Sequence, residues 1–166
     1  GLNHKTAELS LRESVALDAS DMDSALTDLI EDGLDEVAIL STCNRTEVYA
    51  VAGSSHEAMA AVHRFFTDRV TPSQRQSIAD ALYIHAGFDA ASHLFSVAAG
   101  LDSLVVGEAQ VMGQVKEARR RAAKERAVGP VLSNLFDQAL RVGKRARTET
   151  GIGEGGASVS YAAAEL

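Results

Sequence analysis

The residues most able to do chemistry surround Cys43, the single cysteine of the chain. It lies in residues 41–47, Ser-Thr-Cys-Asn-Arg-Thr-Glu, directly after an apolar run, and Arg45 follows two residues later. The thiolate is the nucleophilic form of cysteine, and a nearby cation favours it over the thiol. A lone cysteine is also often a buried structural residue. On the residues alone, a nucleophile and a structural cysteine therefore both stay open.

Histidine is the usual proton carrier near neutral pH, and the chain has five of them. His93 lies in Ala-Ser-His-Leu-Phe, residues 91–95, an environment more typical of a hydrogen-bonded core residue than of a catalytic group. The other four have no metal-ligand spacing with Cys43, so we predict no catalytic metal.

Size and composition limit the class of protein. The 166 residues suffice for one domain, or for one domain and the start of another. One cysteine rules out an internal disulfide framework and suits a reducing compartment. No apolar run reaches the length of a membrane span and no signal-peptide pattern opens the chain, so we predict a cytoplasmic protein without a membrane partner.

Charge is distributed unevenly along the chain, whose net charge is −7. Residues 1–60 contain twelve Asp and Glu against three Lys and Arg, whereas residues 116–147 contain ten Lys and Arg against three acidic residues. A polyanion bound to the second half and two solvated helix faces explain this asymmetry equally well. The acidic total argues against a general nucleic-acid binder.

Hydrophobic spacing predicts an α+β fold, with a small β-sheet packed against helices and a largely helical C-terminal part. The first half reads as helix 21–30, strands 37–40 and 48–52 on either side of Cys43, helix 55–70 and a further strand 81–85. The second half reads as helices 89–99, 108–126 and 130–150.

The glycine-rich stretch at residues 151–156 matches G-x-G-x-x-G literally. A dinucleotide-binding fingerprint must follow a strand and open a helix, and this stretch instead follows a basic predicted helix. We interpret it as a linker. The predicted organisation is a catalytic domain over residues 1–150, with residues 151–166 as linker and start of a following domain.

Several motifs in order resemble the N-terminal catalytic domain of the glutamyl-tRNA reductase family. They are residues 1–7, 41–47, 92–95, 100–110, 113–116 and 144–150. Each motif alone is weak, but together they cover essentially the whole chain. Ala109 and Glu8 depart from the pattern, since proline is common at both positions in that family.

The resemblance implies a reaction as well as a fold. In this family a cysteine thiolate attacks the ester that joins glutamate to the tRNA, and NADPH then reduces the resulting thioester to glutamate-1-semialdehyde, the first step of tetrapyrrole synthesis. By motif match the nucleophile is Cys43, and the histidine that activity requires is His93. Whether His93 is a base for Cys43 or positions the ester stays open.

The resemblance also implies a substrate-binding set. Its members are Thr42, Asn44, Arg45, Ser103, Glu108, Ala109, Gln110 and Gln114. Arg45 would clamp the glutamate carboxylate at two points, and the alternative is a surface arginine paired with Glu47. For Glu108 the alternative is ordinary capping of the long helix.

Further partners follow from the same resemblance. NADPH would bind on a domain after residue 150, and the whole enzyme would bind glutamyl-tRNA and form a homodimer. Glutamate-1-semialdehyde aminomutase and haem are candidate partners. Two other functional classes stay open, namely a non-catalytic module that binds tRNA, haem or a regulator, and a cysteine acyl-hydrolase of another kind.

Overall fold

The computed structural model describes residues 1–153, and its order of elements confirms the α+β class. The elements are β1 (Leu2–Asn3), α1 (Leu9–Ser14), α2 (Ala19–Glu31), β2 (Glu36–Ser41), β3 (Arg45–Val51), α3 (Ser55–Thr67), α4 (Arg75–Ala81), α5 (Phe88–Ala98), α6 (Gln110–Lys124), α7 (Pro130–Glu149) and a 3₁₀ turn (Gly151–Gly153). No helix among them is long and apolar enough to cross a membrane.

The chain divides into two compact units, which we describe separately. The first contains Gly1–Ile84 and Ala118–Ser133, and the second contains His85–Glu117 and the residues from Asn134 on. Helices α6 and α7 therefore each contribute residues to both units.

The first unit is built on a three-stranded antiparallel sheet in the order β1-β3-β2. Strands β2 and β3 form a hairpin in register from Glu36 opposite Val51 to Ser41 opposite Thr46. All four residues from Val37 to Leu40 are buried, which explains why this strand reads as a continuous apolar run. The hairpin places its three-residue connection, residues 42–44, at one end of the sheet.

Helices α2 and α3 cover this sheet, and each begins at a side-chain cap. The Asp18 carboxylate accepts hydrogen bonds from the backbone N–H groups of Ser20 and Asp21, which lowers the pKa of that carboxyl. The Ser54 hydroxyl accepts from the Glu57 N–H and caps α3. The buried faces of the two helices supply much of the core, including Leu26 and Phe66.

The predicted strand at residues 81–85 is wrong. Ala81 ends α4, and the extended segment that follows contacts Gly1 through two main-chain hydrogen bonds. The Tyr83 N–H donates to the Gly1 carbonyl at 2.8 Å, and the Gly1 ammonium donates to the Tyr83 carbonyl at 2.9 Å. The apolar residues of this segment lie beside β1 without joining the ladder, because β1 is only two residues long. Three short elements, β1, α1 and α4, were absent from the prediction.

The second unit contains α5, the loop that follows it, the start of α6 and most of α7. Gly100 and Gly107 both have positive φ angles, of 78° and 82°, and the Gly107 N–H donates to the Gly100 carbonyl. A Cβ on Gly143 would lie 2.5 Å from the Ala98 carbonyl oxygen, so α5 and α7 cross in close contact there.

Candidate active site

Cys43 occupies the apex of the β2–β3 hairpin and is exposed. Thr42 N–H donates to the Arg45 carbonyl at 2.8 Å and closes the loop. The Thr42 hydroxyl oxygen accepts from the backbone N–H groups of Asn44 and Arg45, at 3.1 and 3.2 Å. Thr42 therefore fixes the backbone on both sides of the thiol. Because the Cys43 side chain is exposed, it is not a buried structural cysteine.

Residues 1–7, the first motif of the sequence, lie against this loop. Asn3 pairs with Arg45 in the sheet, and the His4 N–H donates to the Asn44 carbonyl at 2.9 Å. The Asn3 side chain is buried and accepts from the Lys5 N–H at 2.8 Å, which shapes the turn that follows β1. Two motifs that are forty residues apart in sequence thus form one end of the sheet.

Arg45 is almost fully buried, with 2% of its surface exposed. Its Nη1 forms an ion pair with Glu47 Oε1 at 2.8 Å. The hydroxyl groups of Tyr49 and Tyr83 also donate to the Glu47 carboxylate. The alternative of a pair with Glu47 is therefore correct about the partner and wrong about the location, because the pair lies in the interior.

The burial of this cluster also affects Tyr49. Removal from water, followed in importance by the nearby Glu47 charge, raises the pKa of the Tyr49 hydroxyl well above its ordinary value. Tyr49 thus stays a neutral hydrogen-bond donor to Glu47 throughout the physiological range.

A second arginine, Arg12 on α1, reaches the Cys43 loop and was missed from the sequence. Its Nε donates to the Cys43 carbonyl at 3.4 Å and its Nη1 donates to the Ala7 carbonyl at 2.8 Å. The contact spans 31 residues of sequence, and α1 is too short to be recognised by its hydrophobic spacing. No local pattern could have indicated it.

The remaining predicted site residues belong to the second unit. His93 lies on α5, is half-buried, and its ring centroid is 4.8 Å from that of His85. Ser103 is buried in the loop after α5. Glu108 is half-buried and precedes α6, which begins at Gln110, two residues later than predicted, so Glu108 is not within that helix.

The start of α6 presents the other members of the predicted set. Ala109 and Gln110 are exposed, and Gln114 follows one helical turn after Gln110. Arg147 Nη1 donates to the carbonyls of Gly107 and Glu108, at 3.0 and 3.2 Å, and so fixes the loop ahead of the helix. The basic residues of α7 thus include one with a structural role.

The predicted site residues are divided between the two units. Thr42, Cys43, Asn44 and Arg45 form one group in the first unit, and His93, Ser103, Glu108, Ala109, Gln110 and Gln114 belong to the second unit. Within residues 1–153, no group of three or more His, Cys, Asp or Glu side chains is arranged to hold a metal ion.

Comparison with known proteins gives one consistent result. The family model described as "Glutamyl-tRNAGlu reductase, N-terminal domain" matches residues 1–150. The chain is 45% identical over 167 residues to a glutamyl-tRNA reductase from Pelotomaculum thermopropionicum, covering 100% of this chain and 37% of the relative. It is 46% identical over 168 residues to one from Rubrobacter xylanophilus, covering 100% of this chain and 38% of the relative.

A solved structure agrees with the sequence relatives. The glutamyl-tRNA reductase from Methanopyrus kandleri superposes with a TM-score of 0.76 at 36% sequence identity, covering 99% of this chain and 37% of that one. The chain therefore spans less than two fifths of the length of these relatives.

Proposed function

The chain belongs to the family of glutamyl-tRNA reductase N-terminal domains, and on this premise we propose that Cys43 takes the glutamyl group from glutamyl-tRNA. The Cys43 sulfur attacks the ester carbonyl carbon and a C–S bond forms. The C–O bond to the terminal ribose breaks, and the thiol proton ends on the released ribose hydroxyl. The observation that carries this proposal is the exposed thiol at the apex of a hairpin loop whose backbone Thr42 fixes.

The other residues of the predicted set take supporting roles in this proposal. His93 serves as base for the thiol or positions the ester, and Ser103, Glu108, Ala109, Gln110 and Gln114 line the pocket for glutamate. Thr42 and Asn44 flank the reacting carbon.

Arg45 is the proposed clamp for the free carboxylate of glutamate. A guanidinium has five N–H donors in a planar fork, so it can bond a carboxylate at two points. Its ion pair with Glu47 holds the plane of that fork in one orientation. A glutamine side chain offers this guanidinium no negative charge, which would favour glutamate.

Reduction of the thioester belongs in this proposal to the whole enzyme. Bound NADPH would supply the hydride for reduction of the thioester to glutamate-1-semialdehyde, in which the C–S bond breaks and the Cys43 thiolate is released. The described part of the glycine-rich stretch, Gly151–Gly153, follows helix α7 and not a strand, which differs from a dinucleotide-binding fingerprint. Residues 154–166, the rest of the predicted linker and start of a following domain, lie outside the described residues. We therefore assign cofactor binding to the remaining length of the enzyme and expect this chain alone to form and hydrolyse the thioester without reducing it.

The compartment, oligomeric state and partners of the whole enzyme are proposed from its family resemblance. The whole enzyme would act in the cytoplasm as a homodimer, at the first step of tetrapyrrole synthesis. Glutamate-1-semialdehyde aminomutase would receive the aldehyde, and haem would act as regulator.

Deacylation of glutamyl-tRNA tests the proposed function directly. We expect the chain to release glutamate from the tRNA and Cys43→Ser to lose this activity while still binding tRNA in a filter assay. Unchanged deacylation in Cys43→Ser would refute the nucleophile. Binding without any deacylation by the wild-type chain would favour a recognition module, and activity on simple thioesters would favour an acyl-hydrolase.

A further inference from the structure

Arg12 connects three segments at the end of the sheet that carries Cys43. It belongs to α1, its Nε reaches the Cys43 carbonyl at 3.4 Å, and its Nη1 reaches the Ala7 carbonyl at 2.8 Å. Both partners are main-chain oxygens. One guanidinium thus holds the loop of the thiol to the turn that follows β1.

Arg12 and Arg45 have the same charge but differ in burial and in hydrogen-bond partners. Arg45 is 2% exposed and its charge is balanced by Glu47 at 2.8 Å. Arg12 is half-exposed, and among the described residues its bonds go to neutral carbonyls and not to a carboxylate. Arg12 is therefore a partly exposed positive charge that bonds the backbone of Cys43 itself.

We propose that Arg12 is a positioning and specificity residue for Cys43, which holds the loop and attracts an anionic acyl donor to the thiol. This inference rests on the proposed function for its substrate. The ligand chemistry is an oxyanion, which is either the free carboxylate of the glutamyl group, attracted by Arg12 before Arg45 clamps it, or a phosphate at the tRNA end. A guanidinium with neutral hydrogen-bond partners can take such a group without first breaking an ion pair.

Alkylation of Cys43 tests the charge without any tRNA or cofactor. Since Cys43 is the only cysteine of the chain, every alkylation event reports on this one thiol. The rate constants for iodoacetate, which is an anion, and iodoacetamide, which is neutral, are compared at low salt. Their ratio measures the local electrostatic field and cancels changes in the intrinsic reactivity of the thiol.

Two variants of Arg12 separate the effect of its charge from its structural role. Arg12→Gln should lower the iodoacetate-to-iodoacetamide ratio by about three- to fivefold, as expected for one unit charge within about 5 Å in water. Arg12→Lys should keep the ratio near the wild-type value, and the difference between Gln and wild type should shrink in 1 M salt. Arg64→Gln is the matched control, because Arg64 is an exposed arginine on α3 of the same unit and pairs with Asp32, just after α2.

Two results would overturn the proposal. One is an unchanged ratio in Arg12→Gln. The other is an equal slowing of both reagents that Arg12→Lys does not reverse, since that pattern means a purely structural residue. A fall in the ratio with rescue by Lys supports the proposal.

Protection experiments identify the oxyanion. Glutarate and AMP are tested at high millimolar concentration for slowing alkylation of Cys43 by iodoacetamide. Protection by glutarate that Arg12→Gln abolishes points to the carboxylate, and the same behaviour with AMP points to a phosphate. Protection by neither overturns the assignment of an oxyanion.

These readouts also keep the two proposals apart. If the ratio falls in Arg12→Gln but glutamyl-tRNA acylates no variant, then the role of Arg12 holds and the proposed function fails. If thioester forms normally and the ratio does not change, only the role of Arg12 fails.

Discussion

The buried Arg45–Glu47 pair allows a prediction whose magnitude follows from the structure. The Glu47→Ala substitution leaves the Arg45 guanidinium, which is 2% exposed, without the carboxylate at 2.8 Å. Breaking a buried pair in this way costs about 3–5 kcal/mol, because the remaining charge is not solvated. The hydroxyls of Tyr49 and Tyr83 also lose their acceptor. We expect the free energy of unfolding to fall by about 4 kcal/mol and the Tm by about 10 °C.

Urea unfolding followed by circular dichroism measures this loss. Asp32→Ala is the control, because it removes one partner of an exposed pair, Arg64–Asp32 at 3.1 Å, and should cost less than about 1 kcal/mol. The double variant Arg45→Met with Glu47→Leu should be more stable than Glu47→Ala, since no unpaired charge stays in the interior. A Glu47→Ala protein within about 1 kcal/mol of wild type would refute this reading of the cluster.

Two further predictions concern the clamp and the start of α7. Arg45→Lys should lose most acyl transfer from glutamyl-tRNA although it keeps the charge, and a variant as active as wild type in a deacylation assay would rule out a two-point clamp. Glu36, which is buried on β2, accepts from the N–H groups of Val131 and Leu132 at 3.0 and 2.6 Å. Glu36→Ala should lower the free energy of unfolding by about 2 kcal/mol in a urea titration, whereas an unchanged midpoint would show that these N–H groups find other partners.

Local patterns predicted much of the fold. The buried run of β2 and the presence of helices α2, α3, α6 and α7 follow from hydrophobic spacing and from the glycine and proline residues between them. These signals lie within a few residues of one another, so the sequence displays them directly. The strand predicted at residues 81–85 was wrong because its apolar residues had no strand edge long enough to pair with.

The contacts that shape the candidate site were harder to predict, because they join residues that are distant in sequence. Thr42 acts on its own loop and could be anticipated from its motif. The Arg12 contact to Cys43, the Tyr83 contact to Glu47 and the Glu36 cap of α7 span 31, 36 and about 95 residues. Such contacts depend on how the elements pack, and a periodic pattern contains no information on them.

Transfer of labelled glutamate to the protein is the most direct test of the account. The chain is mixed with tRNA that carries labelled glutamate, the reaction is quenched in acid, and the label on protein is counted. We predict label that hydroxylamine releases and that is absent in Cys43→Ala, as a thioester on this thiol requires. Label that persists in Cys43→Ala, or tRNA binding with no label on the wild-type chain, would contradict a covalent role for Cys43.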